Sequence, residues 1–188
     1  MTPWSFFSLI TAVAWAQTGS QQKNVHYEES IRIPMIFRLP GKLKPKQDDL
    51  LFSAPDIYPT IFGLLGFESL IPDTVEGTNY VKTLMGESGD VMPTSQLYTF
   101  MPYGAQSYGR RGIRTDRYTL VIDRKIGKPL VFVLHDNHTD PYQLNNIADD
   151  NVGLVNELIE KELMPWLEHT GDPWRPTEVP IGILKAYT

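Results

Sequence analysis

Four groups of side chains in this sequence are of types that can do chemistry. Tyr27, Glu28, Glu29 and Arg32 fall within six residues of one another. Adjacent carboxylates can hold a metal or shuttle a proton. Beside an arginine at the entrance to an apolar strand, they also suit a Glu–Arg network that keeps the strand in register, and that is the reading expected here. His135, Asp136, His138 and Asp140 are the densest set of ligand types, and two imidazoles with two carboxylates can bind zinc or a similar ion. If a strand runs that far, alternation sends His135 and Asp136 to opposite sides. Asp is also common where chains turn, so a turn is expected and no metal site is assigned. Arg110, Arg111, Arg114 and Arg117 cluster among Tyr103, Tyr108 and Tyr118. Arg110 and Arg111 are candidates for contacting an anionic ligand, whereas Arg114 and Arg117 are expected to pair with Asp116, Asp123 or other nearby carboxylates. His26 and His169 stand alone in sequence and are expected at the surface or in packing.

These groups need a scaffold. Ile31–Leu39 is β-branched and apolar and reads as a strand, with Pro34 placing it at an edge or near its own start. Pro40 and Gly41 end it, and a charged loop follows over residues 42–49. Ser53, Pro55 and Asp56 are helix-start residues ahead of Ile57, Ile61, Leu64 and Leu65, and Gly66 supplies a stop. Residues 71–96 are rich in turn formers and read as surface loop. Three strands are expected at Leu97–Met101, Gly112–Asp123 and Pro129–Leu134, the last two joined by a loop containing Gly127. After turn-rich residues 136–149, Asp150 or Asn151 can cap a helix over about 151–168. Val152, Val155, Leu158, Ile159 and Leu163 recur on one face of it, with Glu157, Glu160 and Lys161 on the other. Pro165 is expected to kink or stop that helix. Strands followed by one amphipathic helix make a small α+β unit.

Composition narrows the functional classes. The chain has 188 residues with 41% hydrophobic and 21% charged, enough apolar content for a core. Its formal charge of −5 argues against a nucleic-acid binder, which needs a basic face. There is no cysteine, which removes disulfides, thiolate metal sites and thiol nucleophiles. Residues 1–22 carry no Asp, Glu, Lys, Arg or His. The apolar run Trp4–Ala16 is too short to span a bilayer, which takes roughly 20 residues. With Ala14-Trp15-Ala16 it reads as a signal peptide over residues 1–16, cleaved before Gln17. It would also suit a helix or strand of the fold. No other segment approaches a membrane span.

Three segments taken together resemble the C-terminal part of the sulfatase family, in the alkaline phosphatase superfamily. Lys23 followed by Tyr27-Glu28-Glu29-Ser30-Ile31-Arg32-Ile33-Pro34 is similar to the family's lysine and Tyr-Glu-Glu-Ser/Gly-x-Arg-x-Pro run. Asp56-Ile57-Tyr58-Pro59-Thr60 resembles its Asp-Leu-x-Pro-Thr-Leu helix. Arg114-Thr115-Asp116-Arg117-Tyr118, then Leu134-His135-Asp136 and Asp140-Pro141-Tyr142-Gln143-Leu144-Asn145-Asn146, resemble its Arg-Thr-Asp-x-Tyr strand and Asp-Pro-x-Glu-x-x-Asn turn.

The resemblance implies a sulfuric ester hydrolase that acts on sulfated carbohydrates or aryl sulfates. Its nucleophile would be a formylglycine made in a Cys/Ser-x-Pro/Ala-x-Arg motif, beside a bound calcium ion. Lys23 matches the lysine that contacts the sulfate, and Arg110 and Arg111 could touch a sulfated glycan at a cleft rim. No catalytic nucleophile or metal ligand is assigned in this sequence. Ser107-Tyr108-Gly109-Arg110-Arg111 has Gly at the third position and follows the lysine segment, so it does not fit the nucleophile motif. The expected architecture is the tail of the sulfatase α/β sheet (residues 17–72) and a C-terminal subdomain (95–188) of antiparallel strands on one helix. Activity would then require a separate catalytic half. The competing readings are a non-catalytic secreted module that binds sulfated glycan and a truncated gene product. Export would place the chain in the periplasm or outside the cell.

Overall fold

The computed structural model describes residues 8–9, 25–101 and 107–175. The chain forms two compact units, one built from Pro34–Pro93 with the strand Ser8–Leu9, the other from residues 25–33 and 94–175.

In the first unit, β1 (Ser8–Leu9) pairs antiparallel with β2 (Met35–Ile36). The strand expected over Ile31–Leu39 is thus only two residues long. The backbone does alternate half-buried and exposed positions from Ile31 to Leu39, as the pattern predicts. A ladder also needs a neighbour, and only β1 supplies one among the described residues. Before it, Glu28–Ile31 closes a single helical turn, α1.

Helix α2 (Ala54–Leu65) starts and stops where its sequence says. Ser53 donates its backbone N–H and its hydroxyl to the Asp56 carboxylate, both at 2.8 Å. Gly66 ends the helix in the left-handed conformation at φ 79°. Residues 71–96 are not all loop: α3 (Val81–Met85) lies within them, and Tyr80 is buried. Thr60, fully enclosed in α2, accepts the Tyr80 N–H at 3.1 Å. That side-chain bond has no signature in local sequence.

The second unit holds a four-stranded antiparallel sheet in the order β3 (Ser95–Phe100), β4 (Gly109–Thr115), β5 (Tyr118–Arg124), β6 (Val131–Asp136). The single strand expected over Gly112–Asp123 is two strands. They reverse at Asp116–Arg117, where the Thr115 hydroxyl accepts the N–H groups of Arg117 and Tyr118 at 3.3 and 2.8 Å. A threonine side chain makes this turn without the Gly or Pro that marks most turns.

One face of the sheet is apolar. Ile113, Leu120, Ile122 and Leu134 pack there against Val155, Leu158, Leu163 and Leu167. Those four come from a continuous 21-residue helical stretch: a 3-10 turn (Asp149–Asn151), α4 (Val152–Leu158), a π-helical turn (Ile159–Leu163) and α5 (Met164–His169). Pro165 does not stop it. The π turn pairs the Met164 N–H with the Ile159 carbonyl, and α5 then restarts with Pro165 in its first turn. There a missing N–H leaves no intrahelical bond unmade. The wider turn also explains the five-residue step from Leu158 to Leu163, which keeps both on the buried side.

The other face carries polar rows. Gln96, Arg114, Thr119 and His135 lie side by side across the four strands, as do Phe100, Arg110, Asp123 and Val131. Between them runs Tyr98–Gly112–Val121–Val133. A Cβ on Gly112 would run into the Leu120 carbonyl oxygen and a Val121 methyl group. We therefore expect Gly112→Ala to force β4 and β5 apart and cost about 1–3 kcal/mol. This should appear as a lower urea midpoint with an unchanged denaturant slope.

Candidate functional site

The polar face receives residues 25–31. The Tyr27 carbonyl accepts the N–H groups of Ser30 and Ile31 at 2.8 and 3.0 Å, which makes α1 a tight, self-contained turn. Two long-range contacts then dock it. The Glu28 carboxylate takes Arg114 in a paired grip, Nε to Oε1 at 3.1 Å and Nη2 to Oε2 at 3.2 Å. The Glu28 backbone N–H donates to Gln143 Oε1 at 2.6 Å. The Glu–Arg network expected here exists, but Glu28's partner is Arg114 of β4 rather than Arg32. Glu29 behaves differently: both its carboxylate oxygens are buried without a hydrogen-bond partner among the described residues.

Gln143 is the residue that sequence reasoning missed. It is the one non-glycine with positive φ (54°) among the described residues, a conformation costing on the order of 1–3 kcal/mol unless its surroundings enforce it. Here they do. Its amide nitrogen donates to Thr119 Oγ1 at 3.1 Å and to Asn137 Oδ1 at 2.8 Å, leaving Oε1 for Glu28. Nothing in Asp140-Pro141-Tyr142-Gln143 announces this.

Of the two roles expected for His26, the structure gives it packing. It is buried, not at the surface, with its ring 4.5 Å from Tyr27, 6.0 Å from His135 and 6.4 Å from Tyr98. Burial, with the nearby His135 and Arg110, lowers it to about 4. Burial likewise lowers His135 and raises the Tyr98 phenol. His169 is exposed at the end of α5, 6.1 Å from the Trp166 ring.

The His/Asp cluster is split: His135 and Asp136 close β6, two residues past the expected strand end at Leu134, while His138 and Asp140 follow in the turn. His135 Nδ1 meets the Asn145 carbonyl at 2.8 Å. Asp136 is held by Arg117 Nη2 at 2.7 Å, and that guanidinium keeps its carboxyl far below the usual range. Asp140 accepts the Asn145 N–H at 2.7 Å, and His138 stands 3.7 Å from Asp116. Among the described residues no three His, Asp or Glu side chains are arranged to hold a metal ion. The described residues therefore do not fit a calcium site.

The arginines are engaged. Arg110 bonds Asp123 at 3.2 Å and stacks 5.5 Å over Phe100, with 23% of its side chain exposed. Arg111 has no exposed surface; Asp172 takes its Nε at 2.5 Å and its Nη2 at 3.3 Å. The Arg111 and Arg124 guanidinium groups lie 5.8 and 4.8 Å from the Trp174 ring. Although burial favours the neutral acid, Arg111 and the Trp174 N–H hold the Asp172 carboxyl below its ordinary value. Of the two arginines considered for ligand contact, only Arg110 keeps exposed surface. Lys23, Tyr103 and most of the apolar leader lie outside the described residues.

With this geometry in place, comparison with known proteins is informative. The family model described as "N-sulphoglucosamine sulphohydrolase, C-terminal" matches residues 17–169. The chain belongs to that family. It resembles the C-terminal region of sulfatases of the alkaline phosphatase superfamily. It is 40% identical over 171 residues to an endo-4-O-sulfatase of Bacteroides thetaiotaomicron, covering 85% of this chain and 34% of that protein. An ulvan-active sulfatase of Formosa agariphila is 31% identical over 172 residues, covering 88% and 32%. A solved Bacteroides thetaiotaomicron structure from glycosaminoglycan metabolism aligns with TM-score 0.70 and 38% identity, covering 82% of this chain and 34% of that one. A structure holding its substrate D-glucosamine-2-N,6-O-disulfate aligns with TM-score 0.55 and 25% identity, covering 78% and 29%. The chain therefore spans about a third of the length of the curated relatives it matches.

Two substitutions test the anchoring. Gln143→Leu strands the Glu28 N–H and should cost about 1–3 kcal/mol, with amide protection lost first in residues 28–32. Asp172→Ala removes the carboxylate that grips the buried Arg111 guanidinium at Nε and Nη2 and should lower the urea unfolding free energy by about 2 kcal/mol or more.

Proposed function

We propose that this chain is the C-terminal segment of a sulfuric ester hydrolase acting on sulfated carbohydrate, and that Lys23 contributes its ammonium to the sulfate. The observation that carries this reading is the anchoring just past Lys23. Five residues on, Glu28 is fixed by both its carboxylate and its backbone N–H to the sheet and to Gln143. A lysine is a mobile point charge, so a rigid footing close behind it limits where the ammonium can go. An ammonium so placed can stabilise negative charge on sulfuryl oxygens as the ester bond breaks.

The substrate class is supported by the relatives' names, which include N-acetylgalactosamine-6-O-sulfatase and N-acetylglucosamine-6-O-sulfatase. In this reading residues 17–72 are the tail of the family's α/β sheet and residues 95–188 its C-terminal subdomain. The first unit exposes Ile36, Leu65, Phe67, Leu70, Val91 and Met92, apolar surface of the kind that further protein covers. Turnover depends on a formylglycine nucleophile and cation ligands that this sequence does not contain, so the chain is inactive alone. An apolar run over residues 4–16 would suit export to the periplasm or beyond, though cleavage before Gln17 would remove β1, which pairs with β2. Among the described residues no helix is long and apolar enough to cross a membrane.

The test is a chimera in which this chain replaces the matching third of the Bacteroides thetaiotaomicron endo-4-O-sulfatase. It should desulfate a 4-O-sulfated glycan, and Lys23→Ala should lower kcat by about 10²-fold or more. The unfused chain should not hydrolyse 4-nitrophenyl sulfate above a buffer blank. Turnover by that chain, abolished by Lys23→Ala, would overturn the claim that the machinery is incomplete.

A further inference from the structure

We propose that His26 and His135 form an acid-released latch that holds residues 25–31 on the polar face of the sheet. The geometry requires both imidazoles to be neutral. The rings are 6.0 Å apart and stacked at 20°, and both are buried. Neither nitrogen of His26 has a hydrogen-bond partner among the described residues, nor does His135 Nε2. A second proton on His26 would therefore put a buried charge where no acceptor waits, face to face with another imidazole.

The surroundings offer little compensation. His26 is approached by Tyr98 from β3, Arg110 from β4, Asp123 from β5 and His135 from β6, with Tyr27 beside it on its own segment. Arg110 and a protonated His135 both oppose the new charge. Asp123 favours it but is already bonded to Arg110. Asp140 on the following loop favours charge on His135, against a larger effect of burial. Glu28 on the same segment is taken by Arg114, and Glu29's carboxylate is buried.

The sign follows from which state binds the proton. Docked, His26 titrates at about 4; released into water it would return to about 6.5. Above pH 6.5 neither state takes the proton and the latch stays closed. As pH falls from 6.5 toward 4 the released state gains protons first. Release is then favoured by roughly 30-fold at pH 5, approaching roughly 300-fold below pH 4. The described long-range hydrogen bonds of α1 are the Glu28 anchors to Arg114 and Gln143, and the sheet and its helix are held by their own ladder and core, so residues 25–31 can open as a local unit.

Hydrogen–deuterium exchange of the full chain between pH 4.5 and 7.5, corrected for intrinsic rates, tests this. The reporters are the N–H groups of Ser30, Ile31 and Arg32, bonded within α1, against those of Leu120 and Ile122 in the sheet. Their protection should fall at least tenfold between pH 7 and pH 5 in the wild type while the sheet holds. In His26→Phe and His26→Leu the fall should be several-fold smaller, the remainder coming from His135. Either variant suffices if the other misfolds, and in both the Glu28–Arg114 pair controls for carboxylate protonation. Wild-type protection unchanged to pH 4.5, or an equal loss in the His26 variants, would overturn the latch. The reading of this chain as a sulfatase segment would be untouched by that outcome.

Discussion

A four-stranded sheet has two faces to bury, and here only one of them is apolar. The helical stretch 149–169 covers that face with Val155, Leu158, Leu163 and Leu167. The opposite face presents Arg110, Arg114, Thr119, Asp123 and His135 in cross-strand rows. Polar groups can be enclosed only when their bonds are made inside the molecule. Residues 25–31 and the loop through Gln143 make many of them, and this requirement decides where the segment after Lys23 must lie.

The cover is economical because few residues do two jobs each. Glu28 neutralises Arg114 with its side chain and bonds Gln143 with its backbone. Gln143 in turn satisfies Thr119 and Asn137, and these contacts hold it in an otherwise unfavourable conformation. Removing one member strands the others, so such networks act as units rather than as sums of pairs. His26, like the Glu29 carboxylate, is enclosed without a hydrogen-bond partner among the described residues. That is where the packing is most sensitive to a proton.

The apolar face ends in a different device. Arg111 emerges on the helix side of the sheet, where a charge would ordinarily be excluded, and is neutralised by Asp172 while lying against Trp174. This ties the chain beyond α5 back to β4. A buried pair of this kind adds little net stability over an apolar pair of equal size, yet losing one partner is costly. It fixes position more than it adds strength.

Much of this was legible in the residues themselves. Ser53, Asp56 and Gly66 bound α2 because capping is a local bond between near neighbours. The long helix was readable from its apolar stripe, and the sulfatase resemblance rests on motifs whose order survives in the linear chain. That His135 and Asp136 take opposite faces of β6 followed from alternation. What the tertiary structure decided is everything that depends on distant partners. Ile31–Leu39 alternates like a strand but pairs over two residues only, since a ladder is a property of two segments. The turn at Asp116–Arg117 hinges on a threonine hydroxyl, and the π turn is required by both Pro165 and the stripe. Glu28 chose Arg114, 86 positions away, and His26 met His135, because their strands and turns bring them together in space; no local pattern encodes such a meeting.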